Sequence, residues 1–336
     1  MQMKKLALIL MAAVLTASLA FAGGAQESAA DDGVTTIGIS KLMSHPALDS
    51  AEQGIQDYLN STGLDVEFQL QNANGDVSTA ASIAQQFRTS GCDIVVGIAT
   101  GTAQALANVF TDIPVVFTAV TDPVDAGLVP SMEGSSDVNV CGVSDMNPVE
   151  EQIRLLVDIT GAKTIGNIYA SGEANGVTLM NQAKEACEKI GVGFVEVAIS
   201  NSSEVRQAAQ SIVDRVDAIY IATDNAVISA LPSVDEVCSD AGIPLMAADP
   251  SNVSGLDCMI AWGFDYYSLG TATGEMIEEI INGAEPGPLG TVVLDDPADF
   301  ELWFNLDTAA TLGIEIPQEY LDMAAVIIQD GVETRV

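Results

Sequence analysis

"VGIATGTAQAL" (96–106) and "YIATDNAVISAL" (220–231) are two stretches of one chain that read almost alike. Each is an apolar run closed by Ile-Ala-Thr, then small polar residues, then an Ala/Leu-rich segment with helical spacing. The pattern predicts a buried strand that turns directly onto a helix N-terminus. The flanks repeat as well. Before the first copy come a β-branched strand "TTIGIS" (35–40) and a helix "PALDSAEQGIQDYLNSTG" (46–63) that stops at Gly63. An alternating strand "VEFQLQNA" (66–73) follows, then a helix "STAASIAQQFRTSG" (78–91) with a Ser/Thr cap and a Gly91 stop. The second half answers with "KTIGNIYA" (163–170), "GVTLMNQAKEACEKIG" (176–191), "GFVEVAIS" (193–200) and "SSEVRQAAQSIVDRV" (202–216). After the paired stretches, "TDIPVVFTAVTDP" (111–123) is echoed by "AGIPLMAADP" (241–250). Ile37 and Ile165 lie 128 positions apart, Thr100 and Thr223 123, Pro114 and Pro244 130, and Pro123 and Pro250 127. Register held across six elements indicates a duplicated unit.

Apolar strands alternating with helices form a parallel sheet covered on both faces. The expected fold is therefore α/β, with two doubly wound parallel-sheet lobes. In such sheets ligands bind outside the carboxyl ends of the strands. Thr100, Gly101 and Thr102 stand at a helix N-terminus, where free N–H groups and the helix dipole favour an anion. Asp224 and Asn225 hold the matching place in the other lobe, and a carboxylate there favours a cation. A zwitterion such as an amino acid fits both. Further candidates sit at the same strand ends: Thr121 and Asp122 in "VTDP", Asp249 in "ADP", Asn175, and His45, the only histidine. Capping and turn formation are the competing roles for these residue types. Phe117, Trp262 and Tyr266 are the aromatic residues placed to line a cleft.

With 11 basic and 47 acidic residues the net charge is −36, which excludes nucleic acid and anionic lipid as partners. Hydrophobic residues make up 48%, too many for a disordered chain. Such an acidic surface suits high salt, and a melting temperature that rises between low and molar salt is expected. Residues 1–22 read as a signal peptide: Lys4 and Lys5, an apolar stretch, then Ala20-Phe21-Ala22. No cysteine follows that stretch, so no lipid anchor is expected. Cys92, Cys141, Cys187, Cys238 and Cys258 form no C-x-x-C pair and read as small buried hydrophobes, with one disulfide left open by export. "NANGD" (72–76) lacks the later glutamate of a calcium loop. No phosphate-loop, nucleophile-elbow or zinc spacing is present, so no catalytic residue, metal or cofactor is expected.

The chain resembles the periplasmic substrate-binding proteins of ABC transporters, in the amino-acid-binding branch with tryptophan- and tyrosine-binding members. "HPALDSAEQG", "QNANGDVSTAASIAQQF", "GTAQALAN", "FTAVTDPVDAGLV", "GVSDMNPVEEQI", "YIATDNAV", "GFDYYSLG" and "NLDTAATLGIEIP" carry the likeness, over about 36–330. It implies the type I fold with three hinge crossings, near Gly142–Met146, Gly263–Tyr266 and Phe300–Asn305. Lobe one is then 33–143 plus 267–299, and lobe two 144–265 plus 300–336. It also implies closure on ligand and docking on a membrane ABC permease, by a monomer that diffuses in the periplasm. The sequence departs from the family at Asn175-Gly176, where relatives carry Asn-Ser, and at Cys141, where they carry Thr.

The expected ligand is an amino acid, aromatic or large and apolar. Two alternatives keep the fold: a sugar or nucleoside ligand, or an extracytoplasmic ligand sensor. The five arginines (Arg88, Arg154, Arg206, Arg215 and Arg335) lie off the cleft loops, which counts against a sugar. An enzyme is disfavoured.

Overall fold

The computed structural model describes residues 33–294 and 299–336, so the leader read over 1–22 lies outside the described residues. The first sheet contains β1 (Thr35–Lys41), β2 (Val66–Asn72), β3 (Ile94–Ile98), β4 (Val115–Thr118) and β5 (Val140–Ser144). All its pairs are parallel, in the spatial order β2-β1-β3-β4-β5. Helices α1 (Pro46–Thr62), α2 (Val77–Ser90) and α3 (Thr100–Ala107) make the crossovers. α4 (Val149–Thr160) leads into the second sheet, with β6 (Thr164–Ala170), β7 (Gly193–Ile199), β8 (Ala218–Ile221), β9 (Leu245–Ala247) and β10 (Ile260–Phe264). Its crossovers include α5 (Ala174–Ile190), α6 (Val205–Ile212), α7 (Asn225–Ile228) and α8 (Leu231–Ala241). The order β7-β6-β8-β9-β10, again parallel, is the first order repeated. The sequence repeat is thus a repeat of topology.

The remainder of the chain weaves the lobes together. α9 (Tyr266–Ile281) returns to pack on α1, and α10 (Pro286–Leu289) precedes β11 (Thr291–Val293), which joins β5. β12 (Phe300–Asn305) lies antiparallel to β10, and α11 (Leu306–Leu312), α12 (Gln318–Leu321), β13 (Val326–Gln329) and β14 (Val332–Arg335) complete the second lobe. The chain therefore passes between the sheets after β5, after β10, and between β11 and β12. Residues 300–305, given above for the third crossing, are a strand of the second sheet, and the passage precedes them. Phe264 and Phe300 stack there with centroids 4.3 Å apart.

Each sheet has a core on both faces, which explains the continuous apolar strands. In the first lobe Ile37, Val96 and Ile98 pack with Ile55, Leu269 and Ile277, while Phe87, Leu106 and Phe117 fill the other side. In the second, Leu156, Leu179 and Phe304 cover one face and Ile212, Ile219 and Leu231 the other. A Cβ on Gly54 would run into the backbone of Tyr267, and one on Gly270 into that of Ala51, so two glycines set the close approach of α1 and α9. α2 is capped by Asp76 rather than by Ser or Thr, its carboxylate accepting Thr79 N–H at 2.6 Å. An ionised cap binds the orphan amide more strongly than a hydroxyl does.

Candidate ligand-binding site

Between the lobes lies a narrow, nearly filled cavity of about 10 Å³. Its lining comes from loops and first helical turns that follow strands: His45 and Leu48 after β1, Ala119 after β4, Asp145 after β5, Asn175 after β6, Thr223, Asp224, Asn225 and Ile228 after β8, Asp249 after β9, and Tyr266 after β10. Strand carboxyl ends from both sheets thus converge on one site.

In the second lobe the polar groups hold one another. Asp224 is the N-cap of α7; its Oδ1 accepts Val227 N–H (3.1 Å) and its Oδ2 accepts Ala170 N–H (2.6 Å). Glu173 Oε1 accepts Ala226 N–H (2.9 Å), and its Oε2 accepts the Asn225 side-chain amide (2.6 Å). Asn175 Nδ2 donates to Thr223 O (3.0 Å). Asp249 accepts from Ser251 N–H (2.9 Å) and Asn252 Nδ2 (2.6 Å). A carboxylate has about four lone-pair positions, so Asp224 and Asp249 keep acceptor capacity for a ligand.

From the first lobe, His45 occupies the N-cap position of α1 with Pro46 behind it, yet its side chain makes no capping bond. The ring reaches across the cleft, with Nε2 3.2 Å from Asn225 Oδ1. At the rim the Thr178 hydroxyl donates to Asp125 Oδ2 (2.7 Å), a second bond between the lobes. Beside the hinge, Asp145 accepts from the Tyr266 hydroxyl (2.8 Å) and the Thr121 hydroxyl (3.2 Å). Ala99 and Ala119, which follow β3 and β4, have φ of +79° and +53°. Non-glycine residues held there store roughly 1–3 kcal/mol each, a feature concentrated at ligand clamps.

The charge balance is one-sided. Asp145, Asp224 and Asp249 are all buried, and His45 is the only basic side chain on the lining. Burial pushes the Asp145 carboxyl up to about 6, against the pull of its Tyr266 and Thr121 hydrogen bonds. Burial also raises Asp224, and the charge of Glu173 adds to it. Asp249 is raised by burial and drawn partly back by His45. Among the described residues, no group of three or more His, Cys, Asp or Glu is arranged to hold a metal ion. What the cavity can neutralise is a compact cation that also offers N–H donors.

Of the residues singled out from the sequence, His45, Asn175, Asp224, Asn225 and Asp249 line this cavity, and Thr100, Gly101, Thr102, Thr121 and Asp122 do not. The Thr102 hydroxyl bonds back to Ile98 O and Ala99 O, Thr121 serves Asp145, and Asp122 caps the turn at Val124 and Asp125. Gly101 borders a groove on the first lobe. Thr100 is buried with its hydroxyl unpartnered, as are Thr223 Oγ1 and His45 Nδ1. Of the aromatic candidates Tyr266 reaches the site, whereas Phe117 and Trp262 pack in the cores. The sequence reading missed Asp145 and Glu173. Asp145 carries the signal that marked Asp224, a carboxylate directly after a buried strand. All five cysteines are buried and free.

The model of a family described as ABC transporter substrate binding protein matches residues 36–328. A tyrosine-binding protein of Clostridioides difficile is 37% identical over 284 residues, 83% of this chain and 81% of that protein. A solved ABC domain in complex with L-Trp from Streptococcus pneumonia is 34% identical, with a TM-score of 0.83 over 88% of this chain and 99% of that one. The ligand-free, open structure of a Clostridium difficile substrate-binding protein with adhesive properties is 36% identical, with a TM-score of 0.64 over 84% and 96%. At nearly equal identity the chain superposes better on the L-Trp complex than on the open structure, in keeping with the hydrogen bonds that join its lobes across the cleft. A family match over almost every described residue, on this fold and around an interlobe cavity, means that the chain belongs to the substrate-binding proteins of ABC transporters.

Proposed function

We propose that this chain captures an amino acid between its lobes and delivers it to an ABC permease in the membrane. The observation that carries the reading is the cluster of three buried carboxylates, Asp145, Asp224 and Asp249, faced by a single imidazole. Burying charge without a partner is costly, and an α-ammonium supplies the missing partner with three N–H donors. The ammonium is given to Asp224 with Asp249. The carboxylate is given to the unpartnered Thr223 hydroxyl, which lines the cavity. Leu48, Ala119, Ile228 and the Tyr266 ring offer apolar surface for the side chain. The named ligands of the relatives, tyrosine and L-Trp, support an aromatic one. A sugar reading finds no arginine on the lining to support it.

The family is extracytoplasmic, and among the described residues no helix is long and apolar enough to cross a membrane. Cleavage after Ala22, a periplasmic location without lipid anchor, and action as a monomer belong to the same proposal. The test is a thermal-shift screen of the mature chain against the twenty amino acids, common sugars and nucleosides, followed by calorimetry on the hits. Binding to the native state alone raises the melting temperature. A shift confined to one or a few amino acids is expected. A shift only with sugars or nucleosides refutes the reading.

A further inference from the structure

Glu173 lies at the second lobe's edge of the site, and every group it touches is a donor: Asn225 N–H (3.3 Å), Ala226 N–H (2.9 Å), Asn225 Nδ2 (2.6 Å) and Asn175 Nδ2 (3.4 Å). A carboxylate only accepts, so it fixes the Asn225 amide with its nitrogen toward Glu173 and its oxygen toward His45. That oxygen stands 3.2 Å from His45 Nε2, and an amide oxygen also only accepts. The hydrogen of this contact therefore sits on Nε2. A neutral imidazole has one N–H, which leaves Nδ1 as a bare lone pair. In the structure Nδ1 is buried without a partner, on a residue that is 8% exposed.

We propose that Glu173 is a positioning residue: through Asn225 it sets the His45 proton on Nε2 as the lobes meet, and so presents Nδ1 as an acceptor for an N–H or O–H of the ligand. The device joins the lobes, since Glu173 and Asn225 belong to the second and His45 to the first. A hydrogen-bond donor reads this nitrogen, whether an ammonium, an indole N–H or a phenol O–H, and an acceptor is repelled. The inference deepens the proposed function and rests on it for the ligand class.

The chain has one histidine, so a long-range proton–nitrogen correlation spectrum of imidazole-labelled protein reports His45 without assignment work. It is recorded as a pH series, and the tautomer is read where the nitrogen shifts show the neutral ring. The lobes are closed in two ways: with L-tyrosine or L-tryptophan, and without ligand in an Asp125→Cys/Thr178→Cys variant joined by a short thiol-reactive linker. Wild type is expected to show the Nε2–H form in both, with the Nδ1 signal moved upfield by ligand. Glu173→Gln, whose amide can donate as well as accept, is expected to give mixed tautomers and to weaken binding by about tenfold. An Nδ1–H form in closed wild type overturns the proposal. So does a Glu173→Gln spectrum that matches wild type, or a bound amino acid that leaves Nδ1 unmoved. If no amino acid binds, the proposed function falls alone, because the cross-linked protein still reports the tautomer.

Discussion

Gly176 is the residue whose replacement tests how Asp224 is held. It is the third residue of α5, buried, and a Cβ built on it would stand inside contact distance of Asp224 Oδ2. That oxygen accepts Ala170 N–H at 2.6 Å, so it cannot retreat without stretching a charge-assisted bond. Losing such a bond costs about 1.5–3 kcal/mol. Alanine in a helix gains up to about 1 kcal/mol over glycine. Gly176→Ala should therefore destabilise the chain by about 1–2 kcal/mol and weaken amino-acid binding about tenfold. In an Asp224→Ala background the obstacle is gone, so the same substitution should be neutral or stabilising by up to about 1 kcal/mol. The coupling energy of the pair is then about 2 kcal/mol. Urea unfolding of wild type, both single variants and the double variant measures it, with calorimetry beside it for affinity. Equal effects of Gly176→Ala in both backgrounds would refute the packing argument.

Ligand affinity should fall with pH below about 6, because protonated carboxyls cannot pair with an ammonium. Burial raises the carboxyls of Asp224 and Asp249, the two assigned to the ammonium, and calorimetry across the pH range measures the loss. The stability of the empty protein should move the opposite way. A carboxyl raised from 3.8 to about 6 keeps its proton in the fold after the unfolded chain has lost it, so this contribution is present below about 4 and is lost as pH rises through about 6. Asp145→Asn should flatten that part of the melting-temperature profile. Thr178→Val removes the rim bond to Asp125 and should speed ligand release two- to fivefold in stopped-flow traces, with association unchanged. Burial pushes the thiols of Cys141, Cys187 and Cys238 up to about 12 and raises those of Cys92 and Cys258. All five should resist a disulfide reagent in the native protein and react together on unfolding; fewer than five would reveal a disulfide. N-acetylation of the bound amino acid should reduce affinity at least a hundredfold, and equal binding of both forms would dismiss the ammonium from the site.

The strands were legible because burial on both faces removes polar residues from them, and duplication let each half check the other. Crossings were harder to read. The stretch 300–305, near which the third crossing is expected, is β12, whose partners β10 and β13 are not its neighbours in sequence. In the site, His45, Asn175, Asp224, Asn225 and Asp249 followed from one rule, a polar residue just past a buried strand. The same rule at β5 gives Asp145, and it was passed over because its surroundings read as hinge. Thr102, Thr121 and Asp122 show the limit of the rule. A threonine or aspartate that ends a strand is as well suited to a cap or turn as to a ligand, and only the fold shows which bond it makes. Glu173 was invisible for another reason: its partners lie 52 and 53 residues away, on a helix start that exists only in the folded lobe.

On the proposed function, closure and occupancy are coupled by charge. Bringing the lobes together encloses Asp145, Asp224 and Asp249 with one imidazole for company, so an empty closed cleft must either bury negative charge or take up protons. The bonds across the cleft, such as His45 to Asn225 and Thr178 to Asp125, are too weak to outweigh that cost by themselves. A ligand that brings its own cation removes the penalty at the moment of closure, and its binding energy goes into the lobe movement. With 11 basic residues among 336, the chain holds little positive charge of its own. By leaving the counter-charge to the ligand, the fold makes the closed state a report of occupancy.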